Sequence, residues 1–143
     1  MKKVSLKDLD STWQDLISKA EKTKENSYSP YSYFKVGASI LTNSGNIYSG
    51  ANIENNAYGE SICAERAAAI KAASGGERKF KRLVIITDSD KIMPPCGNCR
   101  QFLLEFKPKK AEDLKILIAS SDKSRLALSD LAELYPKPFR FSP

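Results

Sequence analysis

The sequence predicts a single α/β domain in which helices pack in layers on a sheet. Its 143 residues suit one domain of ordinary globular composition, with 41% hydrophobic and 28% charged residues. The predicted elements begin with a helix and a β-hairpin and then alternate between strands and helices, which is typical of layered α/β architectures. No apolar run approaches the ~18 residues of a membrane-spanning helix, and no apolar signal region follows the first lysines. We therefore expect a soluble, cytoplasmic protein formed by one domain over residues 1–143.

The first third of the chain is predicted to form a helix followed by a β-hairpin. Apolar residues recur at steps of three and four over Leu6–Lys24, which predicts an amphipathic helix with Ser5 as its N-cap. A polar, proline-containing loop over Ser27–Tyr33 separates this helix from a strand over Phe34–Leu41, where apolar residues alternate. A turn signal of Asn, Ser and Gly then predicts a return strand over Asn46–Gly50.

The rest of the chain alternates between helices and strands. An alanine-rich segment over Ile62–Ala73 predicts a helix, with Ser61 as a candidate N-cap and two glycines after its end. A continuous apolar run at Leu83–Ile86 predicts a strand that is covered on both faces, and Leu114–Ala119 predicts another strand of this buried type. Two further segments complete the prediction: a helix over Gly97–Phe106, and a short helix or irregular segment over Leu126–Leu134.

Histidine is absent from the sequence. Its absence excludes Ser-His-Asp and Cys-His catalysis and every metal site that requires imidazole. Acid–base chemistry must then use carboxylates, lysine, tyrosine or cysteine. The formal net charge of +6 is of the kind found in nucleic-acid-binding proteins. Because the basic residues are scattered among acidic ones, we interpret them instead as a solvated surface, and we expect no nucleic-acid and no membrane partner.

The three cysteines fall in two short motifs: Cys63 with Glu65 two residues later, and Cys96 with Cys99 three residues later. Each motif opens a predicted helix. A disulfide framework does not suit an odd number of cysteines in an intracellular chain. A thioredoxin-like redox pair would use Cys96 and Cys99 but would leave Cys63 without a role. A structural zinc site usually has four protein ligands, of which this sequence offers three cysteines and no histidine.

Catalytic zinc has three protein ligands and an open position, and we favour this interpretation for Cys63, Cys96 and Cys99. Zinc lowers the pKa of a bound water toward ~7, and a nearby glutamate such as Glu65 can move protons. Three thiolates and one zinc ion together carry a charge of about −1. The two helix N-termini, and Arg66 as a hydrogen-bond donor to sulfur, are predicted to offset part of that charge. Three cysteines with a non-ligand glutamate also match the pattern of zinc nucleobase deaminases.

Most of the chain resembles a known family, the small cytidine deaminases of pyrimidine salvage. The resemblance rests on segments in matching order and spacing, namely Tyr31–Ala38, Asn52–Asn55 with Tyr58, Cys63–Arg66 and Pro95–Gln101. The chain is similar to the three-cysteine, homotetrameric branch, since the longer dimeric branch uses a histidine. The resemblance implies a three-layer α/β/α fold with a mixed central sheet, and one Zn²⁺ ion per subunit as the cofactor.

The resemblance also implies an activity and the residues that perform it. The activity is hydrolytic deamination of cytidine and deoxycytidine to uridine and deoxyuridine, with release of ammonia. Cys63, Cys96 and Cys99 match the zinc ligands. Glu65 matches the catalytic proton shuttle, and Arg66 matches the residue that tempers the thiolate charge.

For substrate binding, the resemblance points to side chains and backbone from three parts of the chain. Asn52 and Glu54 match the pair that holds the ribose hydroxyls, and their spacing of two places them on one side of an extended segment. Phe34 matches an aromatic residue that lines the base pocket, although a phenylalanine here equally suits a core strand. The backbone around Ala64 is expected to contact the edge of the base.

The implied assembly is a homotetramer in which neighbouring subunits complete each active site. Tyr58 and Phe139 match residues that reach a neighbour's site, and Phe139 rests on a looser pattern than the others. Two other substrates stay open: another aminopyrimidine nucleoside, such as the antibiotic blasticidin S, or a base in a nucleic acid. A zinc-stabilised binding module without turnover is the non-enzymatic alternative. The match at Asn52 and Glu54 favours a free nucleoside.

Overall fold

The computed structural model describes residues 1–142, and a six-stranded sheet lies at its centre. The strands are β1 (Lys2–Val4), β2 (Val36–Thr42), β3 (Ile47–Ala51), β4 (Phe80–Thr87), β5 (Lys115–Ala119) and β6 (Leu126–Asp130). Their order across the sheet is β1-β6-β5-β4-β2-β3. The central pair β4 and β5 is parallel and the neighbouring pairs are antiparallel, so the expected mixed sheet is confirmed.

Helices cover both faces of this sheet: α1 (Ser11–Lys24), α2 (Ala64–Ser74), α3 (Gly97–Leu104) and the single turn α4 (Leu131–Leu134). The alternation of side chains in β4 explains the two layers. Leu83 and Ile85 pack in the cluster beneath α2 and α3. Val84 and Ile86 pack in a second cluster beneath α1. The three-layer α/β/α architecture is therefore confirmed. Within residues 1–142, no helix combines the length and the apolar character needed to cross a bilayer.

The first helix begins later than the sequence predicts. The segment before it forms a short 3-10 helix whose first residue, Leu6, is 42% exposed and thus does not extend the buried stripe. Ser5 begins this turn, and its backbone N–H donates to the carboxylate of Asp8. The N-cap of α1 is Asp10, which accepts a 2.9 Å hydrogen bond from the backbone N–H of Trp13. The prediction of one helix from Leu6 with Ser5 as N-cap is wrong because Asp10 satisfies the first free donors of α1.

Other boundaries also differ from the prediction. Cys63, not Ser61, is the N-cap of α2, and the Ser61 hydroxyl instead accepts a hydrogen bond from the backbone of Asn55. Phe34 lies before β2 rather than inside it. The segment predicted as a short helix or irregular structure over Leu126–Leu134 is the strand β6 followed by α4. Its first half is a strand because it pairs with β5 on one side and with β1, which was not predicted, on the other.

Candidate active site

The three cysteines converge at the N-termini of α2 and α3. Cys63 and Cys96 are the N-cap residues of these helices, and Cys99 lies in the first turn of α3. Their Sγ atoms all lie within 4.8 Å of one another, and the Sγ atoms of Cys63 and Cys96 are 3.8 Å apart. A tetrahedral ion with Zn–S bonds of about 2.3 Å separates its sulfur ligands by about 3.8 Å. The cluster therefore fits a zinc ion, and its soft thiol donors suit that metal.

The surroundings of the cluster favour a thiolate at Cys63. Neither Cys63 nor Cys96 makes a side-chain cap hydrogen bond. Both nevertheless lie at helix N-termini, where the helix dipole favours negative charge. A hydrogen bond from Cys99 lowers the pKa of Cys63 to about 5, against the opposing effect of burial, and Arg66 adds to the lowering. The same contact with Cys63, together with burial, raises the pKa of Cys99. The cluster thus holds negative charge most readily on Cys63.

Arg66 places a fixed positive charge beside these sulfur atoms. Burial disfavours its charge, but the neighbouring Cys63 and Cys99 raise the pKa of its guanidinium. One terminal nitrogen donates to the carbonyl of Ser61 at 3.3 Å. Its Nε is buried without a hydrogen-bond acceptor. A buried donor without an acceptor is costly, and a charged sulfur ligand would relieve that cost.

Glu65 lies in the same site, as the second residue of α2, two residues after Cys63. Glu65 is only 5% exposed, so its carboxyl group is buried. Burial, reinforced by the charge of Cys63, raises the pKa of Glu65 to about 7, although a hydrogen bond from its own backbone and the charge of Arg66 oppose the rise. A carboxyl with a pKa near neutrality can both accept and donate a proton at physiological pH. Such a group beside a metal site is suited to proton transfer.

Asn52, Glu54 and Phe34 lie together on the other side of the site. The Asn52 Nδ2 donates to the carbonyl of Phe34 at 2.8 Å. The Glu54 carboxylate accepts from the backbone N–H groups of Tyr31 and Ser32 at 3.0 and 3.1 Å, and from the Ser32 hydroxyl at 2.6 Å. Both side chains thus reach the loop before β2, as expected for residues two apart in an extended segment. These hydrogen bonds lower the pKa of Glu54 and keep it ionised.

A pair of backbone hydrogen bonds joins this segment to the cysteine cluster. The N–H of Ile53 donates to the carbonyl of Ile62 at 2.9 Å, and the N–H of Ile62 donates back at 2.8 Å. Ile53 lies between Asn52 and Glu54, and Ile62 directly precedes Cys63. The structure therefore brings the predicted ribose-binding pair next to the predicted metal ligands.

The remaining predicted residues differ in how closely they approach the site. Ala64 is fully buried as the first residue of α2, next to Cys63. Tyr58 and Phe139 are 77% and 70% exposed, so in a single chain both rings lie largely in solvent. Tyr58 makes an edge contact with Tyr31 at 6.1 Å between ring centroids. Phe34 is half-buried and belongs to neither core cluster, which removes the interpretation of it as an ordinary core residue.

Two residues near the site were missed by the sequence analysis. The guanidinium of Arg100 donates to the carbonyls of Pro95 and Leu134 at 2.7 and 2.8 Å, and so holds the loop that ends at Cys96. Asp88 follows β4 and accepts hydrogen bonds from two other segments of the chain. The available signal for Asp88 was its place at the carboxyl end of a buried strand, where α/β folds often bind ligands.

Comparison with known proteins identifies the family to which this site belongs. A family model described as the cytidine and deoxycytidylate deaminase zinc-binding region matches residues 10–112, which include all three cysteines. A cytidine deaminase of Sporosarcina psychrophila is 48% identical over 93 residues, which are 65% of this chain and 68% of that protein. A cytidine deaminase of Halalkalibacterium halodurans is 40% identical over 120 residues, which are 82% of this chain and 89% of that protein.

Solved structures agree with the sequence relatives. The crystal structure of a cytidine deaminase from Burkholderia pseudomallei superimposes with a TM-score of 0.81 at 33% identity, over 88% of this chain and 98% of that chain. The cytidine deaminase of Mycobacterium tuberculosis gives a TM-score of 0.77 at 32% identity, over 92% of this chain and 100% of that chain. The family model matches residues 10–112, which are most of this chain, and the cysteine cluster fits zinc. The chain therefore belongs to the cytidine and deoxycytidylate deaminase family.

Proposed function

We propose that this protein is a zinc-dependent cytidine deaminase that converts cytidine and deoxycytidine to uridine and deoxyuridine with release of ammonia. The observation that carries the proposal is the pairing of a three-thiol cluster with a buried glutamate whose pKa is raised to about 7. A thiol cluster alone does not establish turnover, because cysteine clusters also form structural zinc sites. The adjacent proton-transfer group distinguishes a hydrolytic site from such a structural site.

Cys63, Cys96 and Cys99 are assigned as the protein ligands of zinc. Bound zinc supplies a Lewis acid that makes a water molecule nucleophilic near neutral pH. The helix N-termini favour negative charge on the cluster, and Arg66 withdraws negative charge from it. Both effects lower the electron density on the sulfur ligands, which would strengthen the Lewis acidity of a bound zinc ion.

Glu65 is assigned as the residue that moves protons. It takes a proton from the water whose oxygen adds to C4 of the cytosine ring, and it delivers that proton to N3. In the second half of the reaction, Glu65 takes the remaining proton from the oxygen added to C4 and passes it to the amino group. The C4–N bond then breaks, ammonia leaves, and the C4–O group becomes the carbonyl of uracil. Its raised pKa supports both steps, since a carboxyl with a pKa near 7 is ready in either protonation state.

Asn52 and Glu54 are assigned to the sugar, and Phe34 to the base. The Asn52 Nδ2 uses one of its two hydrogens on the Phe34 carbonyl, which leaves the other for a ribose hydroxyl. The ionised Glu54 carboxylate retains lone pairs that can accept from a second hydroxyl. Phe34 offers a half-buried aromatic ring beside them. The buried first turn of α2 at Ala64 provides backbone for the base edge.

We also place the protein in the cytoplasm as a homotetramer whose subunits complete one another's sites. Free cysteines suit a reducing compartment. Tyr58 and Phe139 are large, exposed aromatic residues of the kind enriched at subunit interfaces. Sedimentation of the active protein tests the assembly, and full activity in a monomer would contradict it.

The proposed function is tested by the conversion of cytidine to uridine by the purified, zinc-loaded protein. The conversion is followed by ultraviolet absorbance. Turnover of cytidine and deoxycytidine is expected. The control is Glu65→Gln, which keeps the shape of the side chain but cannot take up or release a proton. Turnover of blasticidin S or of a cytosine-containing single-stranded DNA without turnover of cytidine would overturn the substrate assignment. Zinc binding without turnover of any of these compounds would overturn the proposal that the protein is an enzyme.

A further inference from the structure

An ion pair between a buried lysine and an exposed aspartate connects the end of α1 to the end of β4. Lys24 is 7% exposed, and its Nζ donates to the Asp88 Oδ1 at 2.8 Å. Lysine is rarely buried unless its charge is paired. Burial alone would raise the pKa of Asp88, but Lys24 and the backbone N–H of Lys35 lower it. A Cβ on Gly37 of β2 would lie 2.1 Å from the carbonyl oxygen of Ala20, so α1 is already packed tightly against β2 and holds the lysine in place.

Asp88 extends this ion pair to the backbone beside Phe34. Its second oxygen, Oδ2, accepts from the N–H of Lys35, and its own N–H donates to the Lys35 carbonyl, each at 3.1 Å. Asn52 holds the two flanking residues: its Nδ2 donates to the Phe34 carbonyl at 2.8 Å, and its Oδ1 accepts from the N–H of Val36 at 2.9 Å. The backbone N–H of Asn52 also donates to the Val36 carbonyl at 3.2 Å. Asp88 and Asn52 therefore fix Phe34–Val36 between them.

The residue just before this segment has an unfavourable backbone conformation. Tyr33 has φ +56°, in the left-handed region that residues other than glycine seldom adopt. Its side chain is 83% exposed, so its own packing does not hold the conformation. Strained conformations persist where neighbouring contacts determine them, and they concentrate at functional sites. The contacts of Asp88 and Asn52 with the next three residues are of this kind.

We propose that Asp88, held in place by Lys24, is a positioning residue that fixes Phe34 for nucleoside binding. The inference rests on the proposed function for the identity of the ligand. Asn52 alone holds the segment from one side, and Asp88 holds it from the other. Loss of the ion pair should release the Phe34 backbone and weaken nucleoside binding. Neither Lys24 nor Asp88 forms a hydrogen bond with any of the three cysteines, so the zinc content should not change.

Steady-state kinetics and metal content of three variants test the proposal. In Asp88→Asn and Lys24→Met, we expect KM for cytidine and the inhibition constant of uridine to rise about tenfold, as for an aromatic contact of about 1.4 kcal/mol. We expect kcat to stay within about twofold, with one zinc per chain by elemental analysis. Lys24→Arg keeps the charge and should recover most of the affinity.

The matched control is Asp10→Asn, which weakens a different ion pair. Asp10 accepts from Arg82 at 2.8 Å and lies at the N-terminus of α1, at the end opposite Lys24. Asparagine remains a good N-cap, so helix α1 is preserved. Equal losses of stability in Asp10→Asn and Asp88→Asn, with nucleoside affinity unchanged in both, would show a merely structural role and overturn the proposal. Loss of zinc, or a fall in kcat without a rise in KM, would overturn it too.

Amide hydrogen exchange gives a second measurement that needs no substrate. Exchange at Lys35 and Val36 should accelerate at least tenfold in Lys24→Met relative to Asp10→Asn. Unchanged exchange would refute the positioning role even if Asp88→Asn fails to fold. If the zinc-loaded native protein does not turn over cytidine while exchange accelerates as expected, the proposed function fails and the positioning of Phe34 stands.

Discussion

Replacing Gly50 with alanine is expected to push α2 away from the sheet and to displace the site at its N-terminus. A Cβ on Gly50 would lie 2.5 Å from the backbone nitrogen of Ala68 and 2.8 Å from the Cβ of Ala67, where ordinary contact begins at 3.4 Å. These atoms cannot rotate away, so the helix would have to move by roughly 1 Å. Overpacking of this kind costs about 1–3 kcal/mol. The unfolding midpoint should fall by roughly 3–12 °C.

The same displacement should reduce turnover, because α2 carries Glu65 in its first turn. A shift of about 1 Å in a catalytic group can lower the rate about 100-fold. The assay is kcat for cytidine alongside thermal unfolding of the zinc-loaded protein. The control is Gly59→Ala, since a Cβ on Gly59 has no neighbour within 4 Å and the change in the unfolded chain is the same. If Gly50→Ala matches Gly59→Ala in both measurements, the argument from close packing is refuted.

Three further outcomes are expected. Glu65→Gln should keep one zinc per chain and lose at least about 100-fold in kcat, since proton transfer contributes that much; retained turnover would exclude the proton-transfer role. Removal of zinc by a chelator should abolish turnover, and added zinc should restore it. The Cys63→Ala variant should hold less zinc by elemental analysis, and a full zinc complement in that variant would contradict the ligand assignment. Hydrogen bonds from the backbone and side chain of Ser124, and from Ser120, lower the pKa of Asp122 to about 2 from 3.8. The stabilisation by Asp122 is therefore complete above about pH 4 and lost as the pH falls through 2, so urea midpoints of the native protein and Asp122→Ala should differ at pH 6 and converge near pH 2.

The metal cluster could be predicted because its chemistry is local in sequence. Cys63 is two residues from Glu65, and Cys96 is three residues from Cys99, so each motif signals its role without knowledge of the fold. The sequence also predicted the alternation of strands and helices, since the buried part of β4, Leu83–Ile86, is a continuous apolar run. The two motifs come together because α2 and α3 pack on the same face of the sheet.

Contacts between segments that are distant in sequence could not be predicted in this way. Lys24 and Asp88 are separated by 64 residues, and neither lies in a recognisable motif. The strand β6 was missed because a short run of leucine and alanine suits a helix and a strand equally, and only pairing decides between them. The strand β1 was missed because two of its three residues are exposed lysines. Long-range pairing, rather than local propensity, determines these elements.

The pairing of β1 with β6 has a consequence for how the chain folds. It places Lys2 opposite Leu128 at the edge of the sheet, whereas the strands around the candidate site pair over much shorter separations, as β2 does with β3. Closing so long a loop costs the most chain entropy and returns only three residue pairs. We therefore expect this edge to form last during folding and to open first under native conditions. Fraying there would leave the opposite half of the sheet, with the three cysteines, intact.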